Sequence, residues 1–210
     1  MIKQIPPASI ERLCAVYHVL EELEVGGINT VSSIEIGKRL GAASHNIRKD
    51  ISYFGEIGNC RAGYSVRKLK SHLSNKLGLN KGKKACVVGL GRLGTAILNY
   101  GHLGQHGFAI VAGFDSNINK IETINTEIPL FPAHEIALVV RRKGIELAAL
   151  TVPAKATQET VDKLIEGGIK GVVNFTPAVI KPSKNVFVRN IDLVGEFRNL
   201  SAMSTLSMYQ

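Results

Sequence analysis

Apolar residues recur at helical spacing over roughly the first eighty positions and at strand spacing over much of the rest. In "SIERLCAVYHVLEELEVGG", Leu13, Val16, Tyr17, Leu20 and Leu23 trace one helical stripe. Pro6 and Pro7 precede it, Ser9 is placed to cap it, and Gly26 and Gly27 end it. "VSSIEIGKRLG" predicts a short helix with Ser32 or Ser33 at its N-cap and Gly41 at its stop. A third helix is predicted from Ser44 to Gly55, with Ile47, Ile51 and Phe54 turned to a core. Ser44, His45, Arg48, Lys49 and Ser52 are left on its outer side, a helix-turn-helix pattern spanning about Tyr17 to Glu56. "EIGNCRAGYSVRKL" suits a β-hairpin wing, so the first domain reads as a winged helix. A solvated basic face on a small helical domain is the plainer alternative.

Beyond the polar, basic seam "SNKLGLNKGKK" the pattern changes. Strands "KACVVG", "FAIVAGFD", "ELAALTVP", "KGVVNF" and "NVFVRN" alternate with helices over Leu93–His102, "AHEIALVVRRKG" and "KATQETVDKLIEGG". A last helix runs from about Asp192. This βαβ alternation predicts an α/β fold with a parallel, doubly wound, Rossmann-like sheet. The expected divisions are 1–78 for the winged helix, 79–190 for the sheet domain and 191–210 for a C-terminal helix.

The turn "GLGRLG" (89–94) follows a predicted strand and opens a helix, the setting in which GxGxxG signals a dinucleotide. Gly89 serves the tight turn, Gly91 the approach of a pyrophosphate, and Gly94 close helix–strand packing; Leu90, Arg92 and Leu93 complete the turn. Arg92 either assists the pyrophosphate or points to solvent. Asp115 ends the next strand 21 residues after Gly94, where a carboxylate accepts from ribose hydroxyls and repels a 2′-phosphate. NAD(H) is therefore expected over NADP(H). The strand ends Thr151-Val152-Pro153 and Asn174-Phe175-Thr176-Pro177 lie on the carboxyl edge, placed either to line the nicotinamide side or, for the two prolines, only to end strands.

Composition adds little to this. The net charge of +9 splits as +4 over residues 1–80 and +5 over the remainder, so charge marks no domain. It is compatible with a polyanionic partner such as DNA. Three cysteines, widely spaced, form neither a disulfide framework nor a metal set; Cys14 and Cys86 are expected in cores and Cys60 in an exposed turn. No apolar run reaches membrane-spanning length and the start lacks a secretory pattern, so the expectation is a cytoplasmic protein. No catalytic lobe follows the sheet, and His102, His106 and His134 fall on helices or surface turns. A fold that binds a redox cofactor without a proton-transfer group fits a sensor better than an enzyme. An NAD-dependent oxidoreductase, a small subunit binding a nucleotide such as coenzyme A, and a protein-interaction module stand as alternatives.

"IRKDISYFGEIG" (47–58), "GLGRLG", "LTVPA", "IKGVVNFTP" (169–177) and "VRNIDL" (188–193), in this order, resemble the Rex family of redox-sensing transcriptional repressors. The resemblance implies a homodimer whose last helix is exchanged between subunits, and a winged helix that binds double-stranded operator DNA. It also implies that NAD+ favours the DNA-bound form and NADH releases it. Tyr100 then matches a tyrosine that moves at the nicotinamide pocket. Arg12 and Asp192 match a pair that joins the DNA-binding domain to the dimer interface in one state. Tyr53, with Arg61 and Tyr64 in the wing, completes the DNA-facing set. The wing departs from the family pattern: Asn59 and Cys60 stand for two basic residues, Arg61 for a glycine and Ser65 for an aspartate. A relative with weakened or altered DNA recognition is the variant reading.

Overall fold

Pro6 starts and Gly26 stops the first helix, α1 (Pro7–Val25), in a computed structural model that describes residues 5–55, 57, 63–180 and 185–207. Pro7 sits where a missing N–H costs nothing. Ser9 does not cap the helix as its sequence position suggests. It is buried within the first turn, where its hydroxyl accepts from Arg12 Nη2 at 3.4 Å. The chain divides into two units, Met1–Lys81 and Gly82–Gln210.

In the first unit α1 is followed by β1 (Thr30–Val31), α2 (Ser33–Leu40), α3 (Ser44–Ser52), β2 (Tyr64–Ser65) and α4 (Val66–Leu77). The Ser32 hydroxyl caps α2 by accepting from the Glu35 N–H at 3.1 Å, and Gly41 ends that helix in the left-handed region. Leu13, Val16 and Leu20 of α1 meet Ile36, Ile47, Ile51, Leu69 and Leu73 in one buried cluster. Cys14 is exposed rather than in this core, because the buried stripe runs through Leu13, Val16 and Leu20 and passes it by.

The wing differs in detail from a local hairpin. Tyr64–Ser65 pairs antiparallel with Thr30–Val31, the stretch before α2. The "VRKL" end of the expected wing instead begins α4, capped by Ser65. Asn59, Cys60 and Arg61 lie outside the described residues.

The second unit is a six-stranded sheet in the order β5-β4-β3-β6-β7-β8, with every neighbouring pair parallel. Its strands are β3 (Lys83–Val88), β4 (Phe108–Asp115), β5 (Leu130–Pro132), β6 (Leu147–Leu150), β7 (Gly171–Asn174) and β8 (Phe187–Asn190). Helices α5 (Arg92–Leu98), α6 (His102–Gln105), α7 (Ile118–Thr123), α8 (Ile136–Lys143), α9 (Thr157–Gly167) and α10 (Leu193–Ser207) connect and follow them. The helix expected over 93–102 is two pieces, broken at Asn99–Gly101. Pairing alternates along β3: Cys86 and Val88 enter the cluster containing Val139, Val140, Val161 and Leu164 of α8 and α9. Val87 enters a second cluster with Leu90 and Leu98 on the opposite face. Full burial pushes the Cys86 thiol up to about 12, so it stays protonated and behaves as a small apolar side chain.

The strand order places the switch point between β3 and β6, where such sheets open a crevice at their carboxyl ends. At the far edge coverage is incomplete: Val173 and Phe187 remain exposed. Helix α10 buries none of its side chains; Leu193, Phe197, Leu200, Met203 and Leu206 form an exposed apolar stripe along it.

Candidate functional site

The Gly-rich turn joins β3 to α5 at the switch point. Gly89 takes φ +94°, a conformation side chains rarely adopt, and a Cβ there would stand 2.8 Å from the Thr151 carbonyl. A Cβ on Gly94 would fall on the Gly89 carbonyl oxygen and 2.7 Å from Thr151 Oγ1. Helix α5 therefore starts in contact with the turn itself. The Thr151 hydroxyl donates towards the carbonyl oxygens of Gly89 (2.6 Å) and Val88 (3.1 Å), while its N–H donates to Val88 at 2.9 Å. Thr151 ties the end of β6 to the turn, a positioning role that motif reading alone did not assign.

Gly91 is the N-cap of α5, and no side chain caps that helix. The first N–H groups of a helix have no intrahelical partner, so those of Arg92 and Leu93 stand ready for an anion, aided by the helix dipole. An added Cβ at Gly91 meets nothing within 4 Å, consistent with a residue that borders open space. Arg92 and Leu93 are both exposed. These features fit a pyrophosphate.

Asp115 is buried at the end of β4 beside this turn. Its Oδ2 accepts from the Leu90 N–H at 2.7 Å and from Lys120 Nζ at 3.1 Å, and its Oδ1 from the Asn117 N–H at 2.8 Å. Burial works against the charge, but the two backbone donors and Lys120 outweigh it and hold the carboxyl below its ordinary range. With two lone-pair positions on each oxygen, Oδ1 keeps one for a ribose hydroxyl. The cleft has a volume of about 540 Å³ and is bordered by Gly89, Gly91, Asp115, Val152 and Pro153. Lys120, Glu159 and Lys163 also line it and were not anticipated. Lys120 was findable only as a basic residue one turn beyond the capping Asn117.

The second strand end does not lie in that cleft. Asn174 is buried, donating from Nδ2 to Ala178 O (3.1 Å) and Asn190 Oδ1 (2.9 Å) while its Oδ1 accepts from the Thr176 N–H (3.0 Å). These bonds tie the end of β7 to the loop after it and to β8. Phe175, Thr176 and Pro177 instead border a separate hollow of about 700 Å³ with Leu93, Asp192 and Arg198. Tyr100 lies elsewhere again, over a third hollow of about 640 Å³, and its ring is exposed.

In the first unit His45, Arg48, Lys49 and Ser52 lie exposed on α3, and Ser44 is half-exposed. The Arg48 guanidinium is held from one edge by Ser33 Oγ (3.1 Å) and Ser44 Oγ (3.3 Å), which fixes its position and leaves other donors open. The Ser52 hydroxyl donates back to the Lys49 carbonyl at 2.7 Å. Tyr53 follows the helix end, and Tyr64 packs partly into the core. Arg12 grips the buried Asp50 of α3 through Nε (2.6 Å) and Nη2 (3.2 Å). In the second unit Asp192 accepts from the Gly195 N–H at 2.9 Å at the start of α10. Each member of the expected switch pair thus has a partner inside its own unit. Among the described residues no helix is long and apolar enough to cross a membrane.

A family model described as "CoA binding domain" matches residues 80–178, and one described as "Putative DNA-binding protein N-terminus" matches residues 4–52. The redox-sensing transcriptional repressor Rex of Listeria welshimeri is 38% identical over 197 residues, covering 94% of this chain and 92% of the relative. Rex of Carboxydothermus hydrogenoformans is 39% identical over 190 residues, covering 90% of this chain and 91% of the relative. Among solved structures, RSP in complex with NAD+ and operator DNA superposes with a TM-score of 0.90 at 28% identity, covering 99% of this chain and 95% of that one. RSP in complex with NADH gives a TM-score of 0.87 at the same identity, covering 98% and 96%.

Proposed function

This chain belongs to the Rex family of redox-sensing transcriptional repressors, and from that premise we propose that it represses transcription by binding operator DNA in its ligand-free or NAD+ form and releasing it on binding NADH. The observation that carries the reading is the presence, on one chain, of an exposed basic α3 face and a Gly-rich cleft floored by Gly89, Gly94 and Thr151. It is a regulator, not an enzyme, and works in the cytoplasm where its operators lie.

In the cleft, the Arg92 and Leu93 N–H groups hold the pyrophosphate and Asp115 Oδ1 takes a ribose hydroxyl. The redox couple supplies a nicotinamide that is cationic when oxidised and neutral when reduced. Phe175, Thr176 and Pro177, in the other hollow that Leu93 also borders, offer the walls that read this difference. On α3, Lys49 and Arg48 contact phosphates or base edges. A ligand shifts the balance of arrangements only by its differential affinity for them, and DNA must do the same. About 2–3 kcal/mol of such coupling changes operator occupancy by tens of fold. Arg12 and Asp192 serve as the switch pair.

The working species is a homodimer. The apolar stripe of α10 and the exposed Val173 and Phe187 are unpaired hydrophobic surface that a second copy would cover, with α10 exchanged between subunits.

The test is fluorescence anisotropy on a labelled palindromic operator with no ligand, with NAD+, with NADH and with coenzyme A, the last because of the family model over residues 80–178. Tight binding that NADH alone reverses is expected. Release by coenzyme A instead would favour a different nucleotide, and no operator binding despite tight NADH binding would assign the N-terminal domain another target.

A further inference from the structure

We propose that His102 and His106 form a two-imidazole chelate for a divalent transition metal ion, at a surface site distinct from the nucleotide cleft. The inference does not depend on the repressor reading. Helix α6 puts the two residues four positions apart, on one face of a short turn bounded by Gly101 and Gly107. Their Nε2 atoms stand 3.1 Å apart. Two nitrogens bound at 2.0–2.1 Å to one ion are about 2.9 Å apart at a right angle and about 3.4 Å apart at the tetrahedral angle. The observed spacing lies between these limits, so the two nitrogens are already separated as one ion requires.

His102 Nδ1 lies 3.1 Å from Gln105 Oε1; in the tautomer that donates from Nδ1 to this oxygen, the Nε2 lone pair is left for a metal. An outer partner on the second ring nitrogen is the usual accompaniment of a metal-binding histidine. The rings themselves are restrained: His102 and His106 pack edge to face with centroids 4.4 Å apart, and Tyr100 meets His102 at 5.8 Å. Without a metal, the short contact needs a proton on His106 Nε2 donated to His102. On coordination His106 takes its other neutral tautomer, giving the Nε2 proton to water and taking one up on Nδ1, so both rings stay neutral and both Nε2 atoms become ligands with no net proton release.

Both histidines are exposed, and no group of three or more His, Cys, Asp or Glu converges among the described residues. An exposed imidazole pair of this kind favours Cu²⁺ above Ni²⁺ and Zn²⁺, and does not select Mg²⁺.

The experiment is calorimetric titration of the full-length protein with copper(II), followed by electron paramagnetic resonance for nitrogen coordination. One site is expected, with a spectrum showing two equatorial nitrogens. His102→Ala and His106→Ala should each weaken it at least tenfold, with no change in NADH affinity. His18, which faces Glu21 and Glu22 at 3.9 and 3.4 Å, is the competing surface site, so His18→Ala is the control and should leave binding intact. Equal copper affinity in the His102→Ala/His106→Ala double variant, or loss of the site in His18→Ala alone, overturns the proposal.

Discussion

Gly94→Ala puts a single methyl group where the structure has no room for one. The new Cβ would fall on the Gly89 carbonyl oxygen and 2.7 Å from Thr151 Oγ1, against an ordinary contact distance near 3.5 Å. Neither neighbour can turn aside. Gly89 is backbone in a left-handed turn, and Thr151 is held by two carbonyl oxygens. The start of α5 must withdraw by roughly 1 Å, and hydrogen bonds near 2.9 Å do not survive such a displacement. Losing the Arg92 and Leu93 donors removes two charge-assisted bonds, each worth about 1.5–3 kcal/mol. At about 1.4 kcal/mol per tenfold, NADH affinity should fall by roughly a hundredfold or more. The assay is NADH fluorescence titration beside a thermal melt, which should register overpacking of about 1–3 kcal/mol. Operator binding should persist but no longer respond to NADH. An NADH dissociation constant within threefold of the parent, in a protein that melts normally, would refute the argument that the floor of the cleft is set by backbone contact.

Lys49→Ala should weaken operator binding evenly across sequences and reduce the slope of log affinity against log salt by about 0.9, which anisotropy at several salt concentrations measures. Phe197→Glu places a charge in the α10 stripe and should convert dimer to monomer in sedimentation velocity; an unchanged dimer rejects the exchanged-helix interface. Asp192→Ala should alter NADH-driven release of DNA while leaving NADH affinity intact, and unchanged release removes Asp192 from the switch. For Asp115 the sign follows from a carboxyl held lower in the fold than its ordinary 3.8. Its contribution is present above about pH 4 and lost as pH falls through the folded value. Asp115→Asn should therefore flatten the acid limb of the melting curve below pH 4, measured by circular dichroism.

Features decided by local chemistry were legible from the chain. The Ser32 cap, the Gly41 stop, the alternation of strands and helices, and the glycine fingerprint each depend on neighbours a few residues away. Features decided by distant partners were not. Ser9 has the right side chain for a cap, yet the helix already begins at Pro7, which leaves Ser9 inside its first turn. Strands as short as Thr30–Val31 and Leu130–Pro132 carry too few residues to show a period. Tyr64 and Ser65 find their partner across more than thirty residues. At the strand ends, the motif marked Thr151 and Asn174 as neighbours of a ligand. Only the fold shows that Thr151, while lining the cleft, ties its hydroxyl to the turn, and that Asn174 bonds Ala178, Thr176 and Asn190.

The packing of α10 fixes when, in the life of a newly made chain, pairing can occur. Among the described residues, every buried apolar side chain of the first unit lies between Leu13 and Leu73, and those of the second end at Val186. Helix α10 adds nothing to either interior. Domains fold as units, so each interior can close within a single chain before a second copy is met. Under the dimer reading, subunit exchange is then a step separate from folding. A DNA-binding head would exist first as a single copy able to touch only half of a palindrome, and repression would begin with assembly rather than with folding.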